Sequence, residues 1–146
     1  MDIWTKEKRS EVMSKIRGKN TKPEIILRSQ LFKQGFRFRV HQKNLPGKPD
    51  IVLAKYKTAI FVHGCFWHYH KNCREERIPS TNSKFWKVKL DKNVQRDEVH
   101  RLQLEKLGWQ VIIVWECDIE LKLKNVLNRI IQSLKTNSIN TLPISH

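Results

Sequence analysis

Acidic residues are scarce in this chain of 146 residues. Only 14 Asp and Glu stand against 29 Lys and Arg, which leaves a formal net charge of +15. Such an excess is far more than solubility requires in so short a chain. It favours a polyanionic partner. Nucleic acid is the first candidate, and an anionic membrane surface is the second.

Long apolar runs are also missing. No run approaches the roughly 18 residues that a membrane-spanning helix needs. Residues 1–15 contain no apolar core of the kind found in signal peptides. Hydrophobic residues nevertheless make up 39% of the chain, which is enough for folding. We therefore expect a soluble intracellular protein with one core.

Cysteine is limited to three residues, an odd number that cannot pair completely within the chain. Nothing in the sequence indicates secretion, so a disulfide framework is not expected. Cysteines that lie close to histidines in an intracellular protein more often bind a metal ion. The alternative is three buried free thiols.

The chain shows no repeat, low-complexity tract or linker that would divide it into domains. Residues 1–18 form a basic N-terminal segment that we expect to contact DNA. Residues 19–135 are predicted to form a single domain. Residues 136–146 are predicted to be a polar tail.

Periodicity and turn residues predict two helices, three strands, a helix, a strand and a final helix. The predicted ranges are 5–17, 21–35 with a Thr21 cap, 36–40, 50–54, 59–62, 83–107, 109–115 and 118–134. The second and third strands are expected to form a hairpin. The apolar strand 109–115 is predicted to be central in its sheet. This order fits a sheet with helices on both faces.

Asp50 stands at the start of an apolar strand, after a polar turn that ends in Pro49. Magnesium prefers oxygen ligands and keeps several waters, so one or two carboxylates can bind it. A metal ion held in this way can polarise a phosphodiester. Taken alone, an Asp after Pro is more often a residue that only ends a turn. The cluster that follows strengthens the metal interpretation.

A cluster of histidines and cysteines follows strand 59–62 directly. Four residues have the ligand types and spacing of a structural Cys₃His zinc site: Cys65, His70, Cys73 and Cys117. His68 is an alternative to His70 as the histidine ligand. If His70 binds zinc, His63 and His68 are available for proton transfer or for contact with a phosphate.

Adjacent aromatic residues lie inside the zinc cluster. Phe66 and Trp67 would be presented by a metal-braced loop, and such a pair can insert between base pairs. The alternative is that they pack beneath the loop. Trp86 is another candidate for stacking, although an aromatic residue at a helix start more often belongs to the core.

Several motifs in this order resemble the very short patch repair endonucleases. They are Leu45-Pro46-Gly47-Lys48-Pro49-Asp50, Phe61 to His68, Asn93-Val94-Gln95-Arg96-Asp97, Gly108-Trp109 and Val114-Trp115-Glu116-Cys117. The resemblance covers roughly residues 5–135. It implies a three-layer α/β/α fold of the restriction-endonuclease, PD-(D/E)XK type, with a central mixed sheet and a structural zinc site.

The resemblance also implies a function. Enzymes of this family make a magnesium-dependent nick beside the thymine of a T:G mismatch, which arises when 5-methylcytosine deaminates. The implied partners are mismatched double-stranded DNA, mismatch-repair proteins of the MutL kind and a cognate cytosine methyltransferase. A monomer in the prokaryotic cytoplasm, associated with the nucleoid, is expected.

Carried over position by position, the resemblance implies roles for named residues. Asp50 binds magnesium directly, together with the backbone carbonyl of Val62. His68 acts as general base or acid with His63 beside it, and Asp97 supports them. A further acidic residue of the family near the active site matches Glu24. The zinc set matches the cysteines named above with His70.

The resemblance assigns DNA contacts as well. Phe66, Trp67 and Trp86 match aromatic residues that wedge into DNA, and Met13 matches a residue inserted from the opposite groove. The second acidic residue and the lysine of the wider nuclease class are absent after the hairpin, as they are throughout this family. Two alternatives stay open: a restriction-type endonuclease with another target, and a non-catalytic zinc module that binds DNA.

Overall fold

The computed structural model describes residues 21–65 and 81–140. Several predictions concern residues outside these ranges, and they stay predictions. They are the helix 5–17, the segment 1–18 with Met13, and the cluster residues Phe66, Trp67, His68, His70 and Cys73.

The described residues form a mixed α/β fold. The helices are α1 (Lys22–Lys33), α2 (Ser83–Lys106), α3 (Glu116–Leu121) and α4 (Leu123–Asn140), and the strands are β1 (Arg39–Val40), β2 (Ile51–Leu53), β3 (Thr58–His63) and β4 (Gln110–Trp115). The sheet order is β1-β2-β3-β4. Strands β1, β2 and β3 pair antiparallel, whereas β3 and β4 are parallel.

Helix α1 begins as the sequence predicts. The Thr21 hydroxyl accepts a hydrogen bond from the Glu24 amide at 3.4 Å, which satisfies one of the unpaired donors of the first turn. Pro23 lies in that turn, where its missing N–H costs nothing. The helix ends before Gly35, whose φ of +94° favours glycine.

The hairpin of β2 and β3 is confirmed. Ile51 pairs with Ile60, and Lys57 closes the connection in a left-handed conformation with φ of 52°. The strand predicted over residues 36–40 is shorter than expected. Only Arg39 and Val40 pair with β2, because the preceding Phe36 and Phe38 turn towards the core instead.

Strand β4 differs from its prediction in position. Within the described ranges it is the terminal strand of the sheet and pairs only with β3, so the central position expected from its apolar sequence is wrong for this part of the chain. The burial of β4 therefore does not come from a position between two other strands of the described sheet. Helices α2, α3 and α4 all contact β4, and they remove its side chains from water.

The strands alternate between two faces of the sheet. Ile60 and Ile112 belong to the main core with residues of α1, α3 and α4. Phe61 and Ile113 point to the other face and line a cleft beside α2. Helices therefore cover both faces, as predicted, and the arrangement fits the expected nuclease-like architecture.

The last predicted helix, 118–134, is divided in the structure. Helix α3 ends at Leu121, and α4 begins at Leu123 after Lys122 leaves the helical conformation with φ of −139°. Helix α4 then runs to Asn140, past residue 135, where the polar tail is predicted to start. None of the helices in the described ranges is long and apolar enough to cross a membrane.

Candidate active site

A cleft of about 230 Å³ opens between the sheet and α2. It brings together four positions that the sequence singles out: Asp50, Val62, His63 and Asp97. They come from the start of β2, the end of β3 and the middle of α2. The topology creates the site, because residues from three distant segments meet only through the pairing of the sheet and the packing of α2.

Asp50 is held by the neighbouring strand. The backbone amide of Val62 donates a hydrogen bond to Asp50 Oδ2 at 2.7 Å. The carboxylate is half-buried, and it faces the cleft beside the peptide of Val62. A carboxylate accepts through both oxygens, so this bond is compatible with a cation at Oδ1. The two positions expected to bind magnesium are therefore adjacent.

His63 ends β3 and is only 5% exposed. Its ring lies 5.1 Å from the Trp115 ring in an edge-to-face arrangement and 5.9 Å from the Phe61 ring. Such contacts restrict the orientation of the imidazole without occupying its nitrogens. His63 thus presents a fixed, nearly buried ring to the cleft.

Asp97 reaches the cleft from α2. It is half-buried, and its Oδ1 lies 4.0 Å from Nη2 of Arg96. Arg96 and Lys48 also line the cleft and bring positive charge to it. A cleft that is lined by both carboxylates and cations suits a metal ion and a phosphate together.

Arg101 also lines the cleft, but its charge is balanced within α2. It hydrogen-bonds to Glu98, and Glu105 accepts from it at 2.9 Å. The hydrogen bond from Arg101 lowers the pKa of the Glu98 carboxyl, and the two carboxylates raise the pKa of Arg101. Lys48 and Arg96 are therefore better suited to contact a phosphate.

A tight turn at residues 45–48 forms one wall of the cleft. The Lys48 amide donates to the Leu45 carbonyl at 3.0 Å, with Pro46 and Gly47 between them. The φ of Gly47 is +76°, as the third residue of a type II turn requires. A Cβ atom at Gly47 would lie 2.9 Å from Cβ of His100 on α2. Gly47 thus allows the turn to approach α2 closely.

This close approach predicts a large effect for Gly47→Ala. The substitution adds a Cβ both to a left-handed backbone and against His100, and we expect the free energy of unfolding to fall by about 2 kcal/mol. Gly35→Ala is the matched control. Gly35 has a φ of +94°, but a Cβ added there would have no atom within 4 Å. Urea denaturation should show the smaller loss for Gly35→Ala, and equal losses would contradict the steric argument.

Glu24 approaches Asp50 from α1. It is 2% exposed, and its Oε2 accepts from Arg28 Nη1 at 3.1 Å and lies 2.6 Å from His41 Nε2. Ligand atoms of Glu24, His41 and Asp50 all lie within 4.8 Å of one another. The structure therefore brings Glu24 next to Asp50, which the resemblance implies, and adds His41 to the pair.

Two cysteines of the expected zinc set lie in the described ranges. β3 and β4 are parallel, and His63 pairs with Trp115, so Cys65 and Cys117 each follow a paired residue by two positions. The Cys65 amide donates to Glu116 Oε1 at 3.0 Å, which joins the two segments. Cys65 is buried and Cys117 is half-buried. This placement suits two thiolates of one tetrahedral site.

Trp86 lies in the first turn of α2 and is not among the residues that line the cleft. It is half-buried, and its ring meets Phe85 edge to face at 5.3 Å. Phe85 is 53% exposed. Trp86 thus takes part in a surface aromatic pair rather than in the main core.

Comparison with known proteins decides the family. The sequence profile of the family described as DNA mismatch endonuclease Vsr matches residues 1–75. The DNA mismatch endonuclease Vsr of Escherichia coli K12 is 46% identical over 116 residues, which are 80% of this chain and 74% of that protein. The chain belongs to the Vsr family.

Other relatives carry names that describe nicking. The type II nicking enzyme V.NmeAIP of Neisseria meningitidis is 50% identical over 136 residues, covering 92% of this chain and 96% of that enzyme. V.XorIIP of Xanthomonas oryzae, also called a type II nicking enzyme, is 41% identical over 133 residues, covering 87% of this chain and 97% of that enzyme. The chain is therefore a DNA endonuclease that acts in mismatch repair, and the alternative of a non-catalytic zinc module is wrong.

The sequence did not reveal every residue in or beside this Vsr-family cleft. Lys48, Arg96 and His100 lie in or near the quoted motifs, so their neighbourhood was a usable signal. No such signal in the sequence pointed to His41, because it is a single histidine after a short strand. Only the tertiary structure places it against Glu24.

Proposed function

We propose that this endonuclease nicks one strand beside the thymine of a T:G mismatch that arises from 5-methylcytosine deamination, and that the reaction depends on magnesium. The observation that carries the proposal is the meeting of Asp50, His63 and Asp97 in one cleft with Lys48 and Arg96 at its edge. Membership in the Vsr family, which is described as a DNA mismatch endonuclease family, supports a mismatch as the target.

The residues present fit a magnesium ion. Asp50 offers a carboxylate and Val62 a backbone carbonyl, and both are hard oxygen donors of the kind that magnesium prefers. The short hydrogen bond from the Val62 amide to Asp50 keeps the two groups side by side. When bound, magnesium supplies positive charge that stabilises the negative charge developing on the scissile phosphate.

The side chains of the cleft account for the remaining steps. Lys48 and Arg96 attract and orient the phosphate, since cations at the rim act over several ångströms. Hydrolysis joins a water oxygen to phosphorus and breaks the bond between phosphorus and the leaving oxygen. The proton that the water loses is balanced by the proton that the leaving oxygen gains. His63, whose ring packs beside those of Phe61 and Trp115, is proposed to accept or return that proton with His68. Asp97 is proposed to orient these groups.

A zinc ion is proposed to brace the loop after β3. Its ligands are Cys65 and Cys117, which the parallel strands bring to the same end of the sheet, with Cys73 and His70 from the intervening segment. His68 is the alternative histidine. Zinc would hold in place the loop that carries Phe66 and Trp67, which are proposed to wedge into DNA with Met13 and Trp86.

This function implies particular partners. A cognate cytosine methyltransferase makes the base whose deamination produces the mismatch, and mismatch-repair proteins of the MutL kind would act nearby. Residues 1–18 are proposed to contact the DNA backbone, and the site of action is the nucleoid.

The test is a nicking assay on otherwise identical duplexes that contain T:G, C:G or T:A at one position, in several flanking sequences with magnesium. Each strand carries its own label. We expect a single nick in the thymine strand of the T:G duplex, on the order of 100-fold faster than in the paired duplexes. Faster cleavage of both strands in paired DNA would instead assign a restriction-type activity.

A further inference from the structure

The cluster of Glu24, His41 and Asp50 contains a nitrogen donor that the proposed magnesium site does not use. The three side chains come from α1, the end of β1 and the start of β2, and none of them is exposed. Carboxylates suit magnesium and manganese, whereas an imidazole favours transition metals and contributes little to magnesium binding. A set of two carboxylates and one imidazole therefore binds transition metals better, relative to magnesium, than carboxylates alone do.

The distances fit one ion. Neighbouring ligands of an octahedral ion are about 3 Å apart and opposite ligands about 4 Å apart, since each bond is about 2.1 Å long. His41 Nε2 and Glu24 Oε2 are 2.6 Å apart, and all three ligand atoms lie within 4.8 Å of one another. Small side-chain movements would bring all three donors onto one cation.

The charge is also suitable. Glu24 and Asp50 bring two negative charges, and Arg28, which donates to Glu24 Oε2 at 3.1 Å, offsets one of them. Counted over the described residues alone, these three charges leave one negative charge to face a divalent cation when His41 is neutral. Arg28 approaches Glu24 Oε2 from one side, and a carboxylate oxygen has a second lone pair with which it can bind a cation.

The backbone holds His41 in this position. Its amide donates to the Asp50 carbonyl at 3.2 Å, which ties the residue to the strand that carries the carboxylate. Its φ is 52°, in the left-handed region that non-glycine residues rarely adopt. Strained conformations of this kind persist where the surrounding structure imposes them, and they concentrate at functional sites.

We propose that His41 is a nitrogen ligand of a divalent cation bound between Glu24 and Asp50, and that it gives this site a preference for manganese and related transition cations over magnesium. The proposal rests on the proposed function only in that Asp50, which lines the cleft, takes part in binding a divalent cation. It adds a ligand to that site and concerns the protein without DNA.

The experiment uses the zinc-loaded protein without DNA and titrates it with Mn²⁺ or Mg²⁺ by calorimetry. Manganese is chosen because it is paramagnetic and does not compete for thiolates. Pulsed electron paramagnetic resonance of bound Mn²⁺ then reports coupling to a directly bonded imidazole nitrogen. The variants are His41→Gln, which can still donate to Glu24, and His41→Asn, because asparagine tolerates the left-handed backbone.

We expect the nitrogen coupling in the unmodified protein and in the control His100→Gln, whose histidine packs against Gly47 and is not one of the three proposed ligands. Both His41 variants should lose it and bind Mn²⁺ at least about tenfold more weakly, with a smaller change for Mg²⁺. Coupling that persists in both variants, equal losses for the two cations, or no Mn²⁺ binding at all would overturn the proposal.

The two proposals fail separately. If the His41 variants keep the nitrogen coupling while the T:G duplex is still nicked with magnesium, only the role of His41 is wrong. If the unmodified protein binds Mn²⁺ through His41 but does not nick T:G duplexes, the metal site stands and the proposed function is wrong.

Discussion

The Asp50→Asn variant is expected to lose nicking of a T:G duplex by about 1000-fold or more. A metal ion at a phosphodiester contributes several kcal/mol to the transition state, and each 1.36 kcal/mol is a factor of about ten in rate. Asparagine keeps the shape of the side chain and can still accept from the Val62 amide, but it removes the negative charge that holds the cation. The loss of nicking rate in this variant therefore measures the effect of the negative charge of Asp50 alone.

Binding of the duplex should survive this substitution. The chain carries a formal net charge of +15, and contacts with phosphates dominate the affinity of such proteins for DNA. Removing one negative charge from the cleft should leave the dissociation constant unchanged or slightly lower. The measurement is single-turnover nicking with saturating enzyme, combined with a binding titration on the same duplex in a calcium buffer.

Glu120→Gln is the matched control for Asp50→Asn. Glu120 is exposed on α3 and does not line the cleft, so the same loss of one negative charge should not change the nicking rate. Full nicking by Asp50→Asn with magnesium would mean that the proposed mechanism is wrong. A parallel loss in Glu120→Gln would mean that net charge, and not Asp50, controls the rate.

Loss of zinc is the second change with a large expected effect. Cys117→Ser should lower the melting temperature by about 10 °C or more, because removing a native metal ligand costs several kcal/mol in a domain of this size. The physical reason lies in the junction of β3 and β4. Cys65 and Cys117 follow the last paired residues of the two strands, so without the metal ion only contacts such as the hydrogen bond from the Cys65 amide to Glu116 join the end of β3 to the end of β4.

Metal analysis and treatment with a chelator distinguish the proposed role of zinc from that of magnesium. The purified protein should contain about one zinc per chain, and Cys117→Ser much less. A strong chelator should lower the melting temperature of the unmodified protein but not that of the variant. Restoring magnesium alone should not recover nicking, whereas zinc with magnesium should. A zinc-free protein with an unchanged melting temperature would contradict the assignment.

The local elements of the fold were largely predictable. The Thr21 cap, the hairpin of β2 and β3, and the long helix before Gly108 follow from residues that act within a few positions of one another. The predictions were wrong where contacts between residues far apart in the sequence determine the structure. The strand predicted over 36–40 is shortened because Phe36 and Phe38 pack on the core, and β4 is terminal in the described sheet although helices bury it.

The residues of the candidate site likewise include some that could be predicted from the sequence and one that could not. Asp50, His63 and Asp97 could be singled out from the sequence because they lie in motifs that resemble one family. His41 could not, since nothing in its neighbourhood distinguishes it from a surface histidine. Its position depends on the pairing of β1 with β2 and on the packing of α1, which bring Nε2 to 2.6 Å from Glu24.

The sequence by itself determined the positive charge, the helices and strands that local residues specify, and the motifs that carry the chemistry. These properties depend on composition and on neighbours along the chain. The tertiary structure alone decided that Asp50, Val62, His63 and Asp97 share one cleft, that Gly47 packs against His100, and that His41 joins Glu24. Contacts between segments far apart in sequence depend on strand register and helix packing, which no local pattern encodes.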